Sequence, residues 1–250
     1  RLDEMKGRFD HTLLSIVGSM QPLAITWLGH SSFRLRTPGG KEVLLDPWYT
    51  GNPAFPAAAR PKAADLILIS HGHSDHITDA AAIAKETGAS VVGIWEITSW
   101  LGGKGVKNLE PMNKGGTISA KGLTITMTDA RHSSSFDEGG IVYLGEPAGF
   151  VVTLENGQKI YFAGDTALFG DMKIIGEIYR PDIAFLPIGD RFTMGPDTAA
   201  IAAKWLGVKQ VVPMHHGTFP LLTGTPEQLA QHLAGSGIDV LMLKPGETAS

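Results

Sequence analysis

The stretch Leu68-Ile69-Ser70-His71-Gly72-His73-Ser74-Asp75-His76 gathers three imidazoles and a carboxylate at the end of an apolar run. Residues 64–69, which lead into it, have the short and mostly apolar composition of a buried strand. If the backbone stays extended past Ser70, His71 and His73 project to the same side, because side chains at i and i+2 of an extended chain share a face. Both imidazoles can then bind one metal ion.

Asp75 and His76 point to a second ion near the first. They fall where the chain enters an alanine-rich segment, which predicts a helix over residues 75–87 that stops before Gly88. Their side chains therefore leave the strand end in a different direction from the first two histidines. An exposed polar loop is the alternative interpretation, but a loop does not require three histidines, whereas transition metals favour imidazole and carboxylate ligands.

Two ions need more ligands than one loop supplies, and isolated His and Asp residues follow other strand patterns. These are His132 after residues 123–128, Asp165 after residues 159–163, and His215 and His216 after residues 210–214. Each alone is typical of a capping aspartate or a loop histidine, but together they predict ligands that converge from several strand ends. Of the adjacent pair, His215 is favoured because it directly follows the strand, and His216 stays open as the alternative.

Strands and helices alternate over the rest of the chain. Strands are predicted at 23–27, 33–36, 42–45, 66–70, 90–93, 123–128, 149–154, 159–163, 183–186, 210–213 and 240–243. Further helices are predicted at 97–101, 172–179, 197–206 and 227–234. Asn156-Gly157 predicts a tight hairpin turn. This mixture indicates an α/β fold with two β-sheets packed face to face and helices on the outer faces.

The pattern His-x-His-x-Asp-His, followed by a lone His, a lone Asp and a final His, resembles the ligand pattern of metallo-β-lactamase-fold hydrolases. The resemblance covers roughly residues 22–250 and implies the αββα sandwich of that family. It implies three ligands for the first ion, three for the second and one bridging aspartate. In that order these are His71, His73 and His132; Asp75, His76 and His215; and Asp165.

Four further segments, at residues 25–33, 44–48, 192–196 and 213–219, are similar to a branch of small metal-dependent hydrolases. That branch lies close to the ascorbate-6-phosphate lactonases and, more distantly, to the N-acyl phosphatidylethanolamine phospholipases D. The commonest metallo-β-lactamases supply a cysteine at the second metal, and this chain has no cysteine, so lactam hydrolysis is not expected. Flavodiiron proteins have Glu where this chain has His73, which favours hydrolysis over oxygen reduction.

The resemblance implies that a hydroxide shared by two divalent ions attacks the substrate, with Zn favoured and Mn, Ni or Fe as alternatives. Asp75 and Asp165 are the candidate catalytic residues, since they would orient the hydroxide and accept its proton. His30 is expected to stabilise an oxyanion or to hold a metal ligand in place by a hydrogen bond. The alternative is a purely structural hydrogen bond in its own turn. Asp46 is expected to hold a metal-bound histidine by its distal N–H.

Three residues are further candidates for the substrate pocket, with a surface or core role as the alternative for each: Arg131, Arg191 and Met194. The leading hypothesis for function is hydrolysis of a small ester, lactone or phosphoester. A metal-dependent phosphodiesterase or nuclease and a non-catalytic metal or ligand sensor are the alternatives. The absence of a basic patch disfavours the nuclease, and the complete ligand set disfavours the sensor.

Composition predicts one soluble domain over residues 20–250. The chain is 43% hydrophobic and 18% charged, and it is long enough to bury a large core. The formal net charge of −4 offers no basic face for nucleic acid, so a small molecule, neutral or anionic, is the expected partner. No apolar run reaches the length of a membrane span, and a cytoplasmic location is expected, with a removed export signal left open. A homo-oligomer is a further option.

Residues 1–19 form a separate segment. Leu2, Met5, Phe9, Leu13 and Ile16 fall at helical spacing among charged residues, which predicts an amphipathic helix. Three interpretations stay open: a packing or dimerisation helix, a membrane-surface helix, or leader sequence ahead of the domain.

Overall fold

Two seven-stranded β-sheets form the framework of the protein in the computed structural model, which describes residues 20–250. The strands of the first sheet are β1 (Ala24–Trp27), β2 (Phe33–Arg36), β3 (Glu42–Leu45), β4 (Leu66–Leu68), β5 (Ser90–Ile94), β6 (Leu109–Met112) and the C-terminal β16 (Thr248–Ala249). They lie in the order β16-β1-β2-β3-β4-β5-β6. Neighbours are antiparallel as far as β3 and parallel from β3 to β6.

The second sheet mirrors this mixture of directions. Its strands are β7 (Thr117–Ala120), β8 (Leu123–Asp129), β11 (Ala148–Thr153), β12 (Lys159–Phe162), β13 (Ile183–Pro187), β14 (Gln210–Met214) and β15 (Asp239–Val240). They lie in the order β15-β14-β13-β12-β11-β8-β7, parallel from β12 to β15 and antiparallel elsewhere. Between β8 and β11, the short strands β9 (Ser135–Asp137) and β10 (Ile141–Tyr143) pair as a separate ribbon.

Six helices in residues 20–250 connect the strands: α1 (Ser74–Ile77), α2 (Ala80–Thr87), α3 (Trp95–Gly103), α4 (Met172–Tyr179), α5 (Pro196–Leu206) and α6 (Pro226–Leu233). The longer helices are amphipathic and bury one face, as Ile83 and Ala84 of α2 and Ala199 and Ala203 of α5 do. A short 3-10 turn at Ala57–Ala59 precedes β4.

The core lies between the two sheets. Phe33 of β2 meets Phe185 of β13 with ring centroids 4.9 Å apart, so the inner faces of the two sheets interlock directly. Central parallel strands such as β4 and β13 are buried along their whole length, which explains why they appear in the sequence as continuous apolar runs. The predicted αββα sandwich, with two mixed sheets and helices outside, is confirmed.

The single helix predicted over residues 75–87 is wrong, because the chain forms α1 and α2 with a break at Thr78 and Asp79. The Asp79 carboxylate accepts hydrogen bonds from the backbone N–H groups of Tyr49 and Thr50 and from the Thr50 hydroxyl. Asp79 therefore fixes the loop that follows β3, and the helical segment is divided at that point. Local helix propensity carries no information about this distant partner.

The strand predicted at 240–243 is β15, which ends at Val240, although Leu241 N–H still donates to the Val211 carbonyl. Five short strands were not predicted: β6, β7, β9, β10 and β16. The hairpin turn at Asn156-Gly157 is confirmed between β11 and β12, with Gly157 at a φ of +84°. The amphipathic helix predicted for residues 1–19 lies outside the described residues. None of the helices in residues 20–250 has the length and apolar character to cross a membrane.

A close approach of two helices makes Gly176 of α4 a stability determinant. A Cβ at this position would lie 2.6 Å from the Trp205 carbonyl oxygen and 2.8 Å from Leu206 Cα, both at the end of α5. We expect Gly176→Ala to lower the free energy of unfolding by about 1–3 kcal/mol, because the backbone of α5 must move away. Urea denaturation followed by circular dichroism measures the change.

Gly103 of α3 provides the matched control, since a Cβ there has no atom within 4 Å. Gly103→Ala is expected to leave the free energy of unfolding unchanged or to raise it by up to about 1 kcal/mol. Equal stability of Gly176→Ala and the wild type would contradict this account of how α4 packs.

Candidate metal centre

The polar cluster of this protein lies at one edge of the sandwich, where strands of the same direction end. In the first sheet β1, β3 and β4 run the same way, and in the second sheet β8, β12 and β14 do. The predicted site residues follow these strands within three positions: His30, Asp46 and His71 in the first sheet, and His132, Asp165 and His215 in the second. Strand direction therefore brings residues from distant parts of the chain to a common edge.

A first group is formed by His71, His73 and His132, whose ring nitrogens all lie within 4.8 Å of one another. His71 Nε2 and His73 Nδ1 are 3.0 Å apart. Two nitrogens bound to one tetrahedral zinc ion at its usual bond length would be about 3.3 Å apart. The loop that carries both histidines packs tightly, because a Cβ on Gly72 would lie 2.7 Å from Leu144 Cβ.

A second group contains His30, Asp75, His76 and His215, again with ligand atoms within 4.8 Å of one another. Asp75 Oδ2 lies 3.9 Å from His76 Nε2 and 4.0 Å from His215 Nε2. The side chain of Asp75 is 28% exposed, so this carboxylate borders on solvent, whereas His76 and His215 are buried.

Asp165 lies between the two groups. Its Oδ2 is 2.9 Å from His215 Nε2 and 3.3 Å from His76 Nε2, and it is 3.7 Å from His132 Nε2 and 3.9 Å from His71 Nε2. Burial alone would raise the pKa of the Asp165 carboxyl, but the His215 and His76 rings outweigh burial and hold this pKa well below its usual value. The carboxylate is therefore ionised, with one oxygen facing imidazoles of both groups.

A buried carboxylate behind the cluster, Asp46, orients two of the imidazoles. Asp46 Oδ2 accepts from His76 Nδ1 at 2.7 Å, and the Ser70 hydroxyl donates to the same oxygen at 2.5 Å. With its hydrogen committed to Asp46, Ser70 Oγ accepts from His71 Nδ1 at 2.9 Å. Both rings are thereby oriented with Nδ1 turned away from the cluster and with Nε2 turned towards it. The sequence pointed to Asp46 but carried no signal for Ser70.

His30 lies behind Asp75 and is completely buried. Its Nε2 is 3.0 Å from Asp75 Oδ2, and its Nδ1 is 2.9 Å from the Thr218 hydroxyl. Burial, reinforced by the nearby His215 ring, lowers the pKa of His30 to about 4, so the ring is neutral. Because a carboxylate only accepts, His30 donates from Nε2 and receives the Thr218 hydroxyl hydrogen at Nδ1. Sequence reasoning missed Thr218, whose hydroxyl has no distinguishing local pattern.

The two adjacent histidines after β14 have different surroundings. The His215 ring lies in the second group, 4.0 Å from the His30 ring, and the His215 N–H donates to the His30 carbonyl. His216 turns the other way and stacks on Trp27 with ring centroids 4.8 Å apart. Among the described residues, His216 belongs to none of the clusters of potential metal ligands.

The three further pocket candidates are dispersed. Arg131 is exposed and pairs with Asp129 at 3.1 Å. The Arg191 guanidinium lies over the Phe192 ring, 5.6 Å from its centre, on the loop after β13. Met194 is buried in the core.

Unpaired polar atoms support the fit of this cluster to metal ions. Within residues 20–250, His76 Nε2 and Asp165 Oδ1 are buried without a hydrogen-bond partner, a state that folded proteins rarely tolerate. Burial together with the His76 ring also keeps the pKa of His71 well below its ordinary value, so its Nε2 offers a lone pair. Imidazole nitrogens and ionised carboxylates facing one another are the donor set that suits divalent first-row metals.

Comparison with known proteins agrees with the fold. The family model described as a beta-lactamase superfamily domain matches residues 24–215. A UPF0173 metal-dependent hydrolase of Rubrobacter xylanophilus is 51% identical over 228 residues, which cover 89% of this chain and 94% of the relative. A second one, from Methanopyrus kandleri, is 47% identical over 229 residues, covering 90% of this chain and 99% of that protein.

Among solved structures, Igni18, a metallo hydrolase from the archaeon Ignicoccus hospitalis, superposes with a TM-score of 0.81 at 37% identity, covering 91% of this chain and 97% of that chain. The resemblance to metallo-β-lactamase-fold hydrolases is thus confirmed, and the closeness to ascorbate-6-phosphate lactonases stays a prediction. The chain belongs to the UPF0173 metal-dependent hydrolase family of the metallo-β-lactamase superfamily.

Proposed function

We propose that the protein hydrolyses a small ester, lactone or phosphoester at a centre that holds two divalent metal ions. His71, His73 and His132 would bind the first ion, and Asp75, His76 and His215 the second. The observation that carries the proposal is the position of Asp165, whose Oδ2 lies within 4 Å of imidazole nitrogens from both groups. A carboxylate so placed has the geometry of a bridge.

Bound ions would supply the chemistry that side chains lack, since they lower the pKa of water and polarise a carbonyl or phosphoryl oxygen. Asp75 is suited to orient the attacking water and to take its proton, because it is the carboxylate of the cluster that borders on solvent. Asp165 is 2% exposed and would act mainly as a ligand. His30 and Thr218 would hold Asp75 in place from behind.

Zinc is the preferred ion in this proposal, because histidine-rich sites with an acidic ligand suit it well. Manganese, nickel and iron accept the same donors and are the alternatives. The substrate would be a small molecule. The net charge of −4 gives the protein no general attraction for polyanions and places no other requirement on the substrate.

Metal content tests the proposed bridge. We expect close to two ions per chain in wild-type protein purified without chelator, and one or fewer in Asp165→Asn, because the amide is a much poorer bridging ligand than the carboxylate. Inductively coupled plasma mass spectrometry gives the stoichiometry and the identity of the metal. Asp239→Asn, an exposed position at the opposite edge of the sheet, is the matched control and should keep both ions. Two ions in Asp165→Asn would show that the bridge is assigned wrongly.

Chelation tests the catalytic role of the ions. Hydrolysis of p-nitrophenyl esters, lactones and phosphodiesters should fall at least about a hundredfold after treatment with a chelator and return when Zn²⁺ or Mn²⁺ is added back. His73→Ala should remain inactive after the same addition. Hydrolysis that persists in fully metal-depleted protein would contradict the proposal.

The hydrogen bonds that link Thr218, His30 and Asp75 should control the affinity for the second ion. Thr218→Val removes the hydroxyl that donates to His30 Nδ1, so His30 loses the partner that favours donation from Nε2 to Asp75. We expect the second ion to bind about 10–100-fold more weakly, with the first ion little affected. Titration of metal-free protein with Zn²⁺ against a competing chromophoric chelator resolves the two steps.

Two controls belong to this measurement. Thr218→Ser keeps the hydroxyl and should bind the second ion as the wild type does. Thr126→Val removes the hydroxyl of a buried residue in the middle of β8, which is hydrogen-bonded to the exposed Thr117 at 2.8 Å, and should leave both affinities unchanged. Equal affinities in Thr218→Val and Thr218→Ser would rule out the positioning role.

A further inference from the structure

An aromatic wall, formed by Trp48 and Phe219, borders the metal centre on the side of His30. The Phe219 ring centre lies 5.8 Å from that of His30 and 6.0 Å from that of Trp48, and Trp48 meets His30 at 5.2 Å. His30 in turn donates to Asp75, so the wall is one side chain away from a proposed ligand. Contacts with two buried rings hold Phe219 in a defined position.

The wall is open to solvent at Phe219. Trp48 is buried, but Phe219 is 37% exposed, and Leu221 in the same loop is 51% exposed. A single exposed apolar side chain on a protein surface needs no explanation. Here the exposed ring contacts His30, which is hydrogen-bonded to Asp75 of the cluster. An apolar face beside a few convergent polar groups is the arrangement expected of a substrate site.

Two other exposed apolar side chains lie where the chain leaves the same edge, Trp95 at the start of α3 and Phe192 in a loop. Trp95 follows β5 and Phe192 follows β13, at the ends of strands that run parallel to those of the metal centre. The Phe192 loop is tied to the centre, because Met194 N–H donates to the carbonyl of Thr166, the residue after Asp165. The apolar surface is therefore not confined to one residue, although Phe219 is the member with direct ring contacts to the site.

The side of the centre near His132 is polar. A cleft of about 410 Å³ opens beside His132 and is lined by Lys114, Asp129, Ala130, Arg131, Glu146 and Pro147. Its cations are already paired, Lys114 with Asp129 and Glu146, and Arg131 with Asp129. The side near His132 is thus polar and balanced in charge, and the side near His30 is apolar.

We propose that the substrate carries an apolar alkyl or aryl group next to the bond that is hydrolysed, and that this group packs against the exposed ring of Phe219, which the buried Trp48 supports. The inference rests on the proposed function, because it places the reacting group at the metal centre. It assigns Phe219 as the residue that selects substrates by their apolar part. Burial of such a group against the wall gains affinity with each added methylene.

Alkyl hydroxamates test this inference without knowledge of the natural substrate, because the hydroxamate group binds metal ions and the alkyl chain can be varied. Acetohydroxamate and octanohydroxamate would be titrated into Zn²⁺-loaded protein by isothermal calorimetry, with metal-free protein as the blank. Each fully buried methylene is worth up to about fourfold in affinity. We expect octanohydroxamate to bind at least about tenfold more tightly than acetohydroxamate, since part of the chain stays in solvent.

Variants at the wall locate the contact. Phe219→Ala should reduce the preference for the longer chain to less than about threefold, and Phe219→Leu should retain part of it. Acetohydroxamate should bind both variants as it binds the wild type, which shows that the centre is intact. Ile178→Ala removes an exposed apolar side chain near the end of α4, outside the aromatic wall, and should keep the full preference.

The outcomes separate the two proposals. Failure of acetohydroxamate to bind the Zn²⁺-loaded wild type would overturn the proposed metal centre and the inference with it. Equal binding of the two hydroxamates would overturn the inference and leave the proposed function standing. A full preference for octanohydroxamate in Phe219→Ala would likewise overturn the assignment of Phe219. Loss of the preference in Phe219→Ala alone supports it.

Discussion

Burial of many ionisable groups at one edge of the sandwich is the constraint on which the rest of the structure depends. Asp165 and Asp46 are almost fully buried carboxylates, and each must be compensated, because an unpaired charge in a protein interior is very costly. Asp46 is compensated by hydrogen bonds from Ser70 and His76. Asp165 faces imidazoles on two sides and keeps one oxygen unpaired. The free energy of burying this carboxylate therefore depends on what the cluster binds.

The backbone conformation at this edge brings these groups together. His30, Asp46 and His215 all have positive φ angles, of 56°, 40° and 55°, within three residues of the ends of their strands. For residues with a side chain this conformation costs about 1–3 kcal/mol each, although His and Asp tolerate it better than most. It lets the chain turn sharply at the strand end and return the side chain over the edge of the sheet. Phe219 of the aromatic wall lies in the segment after His215 and contacts the His30 ring.

Much of the fold follows from local patterns. The amphipathic pattern of α4 and the apolar runs of β4 and β13 identified these elements almost to the residue, since burial of one face or of a whole strand leaves a clear periodicity. The edge strands β6, β7 and β16 have no such signature, because their pairing partners and not their own composition keep them extended. The break between α1 and α2 likewise depends on a loop far away in sequence.

The sequence by itself determined the donor types, their order and their position at strand ends, because the spacing from His71 to His76 and the strand patterns are local properties. Only the tertiary structure decided which of His215 and His216 faces the cluster, since this depends on the positive φ of His215 and its hydrogen bond to the His30 carbonyl. The roles of Ser70 and Thr218 are also tertiary. The role of each hydroxyl depends on the imidazole to which it is hydrogen-bonded, and the packing of strand ends brings both imidazoles into place.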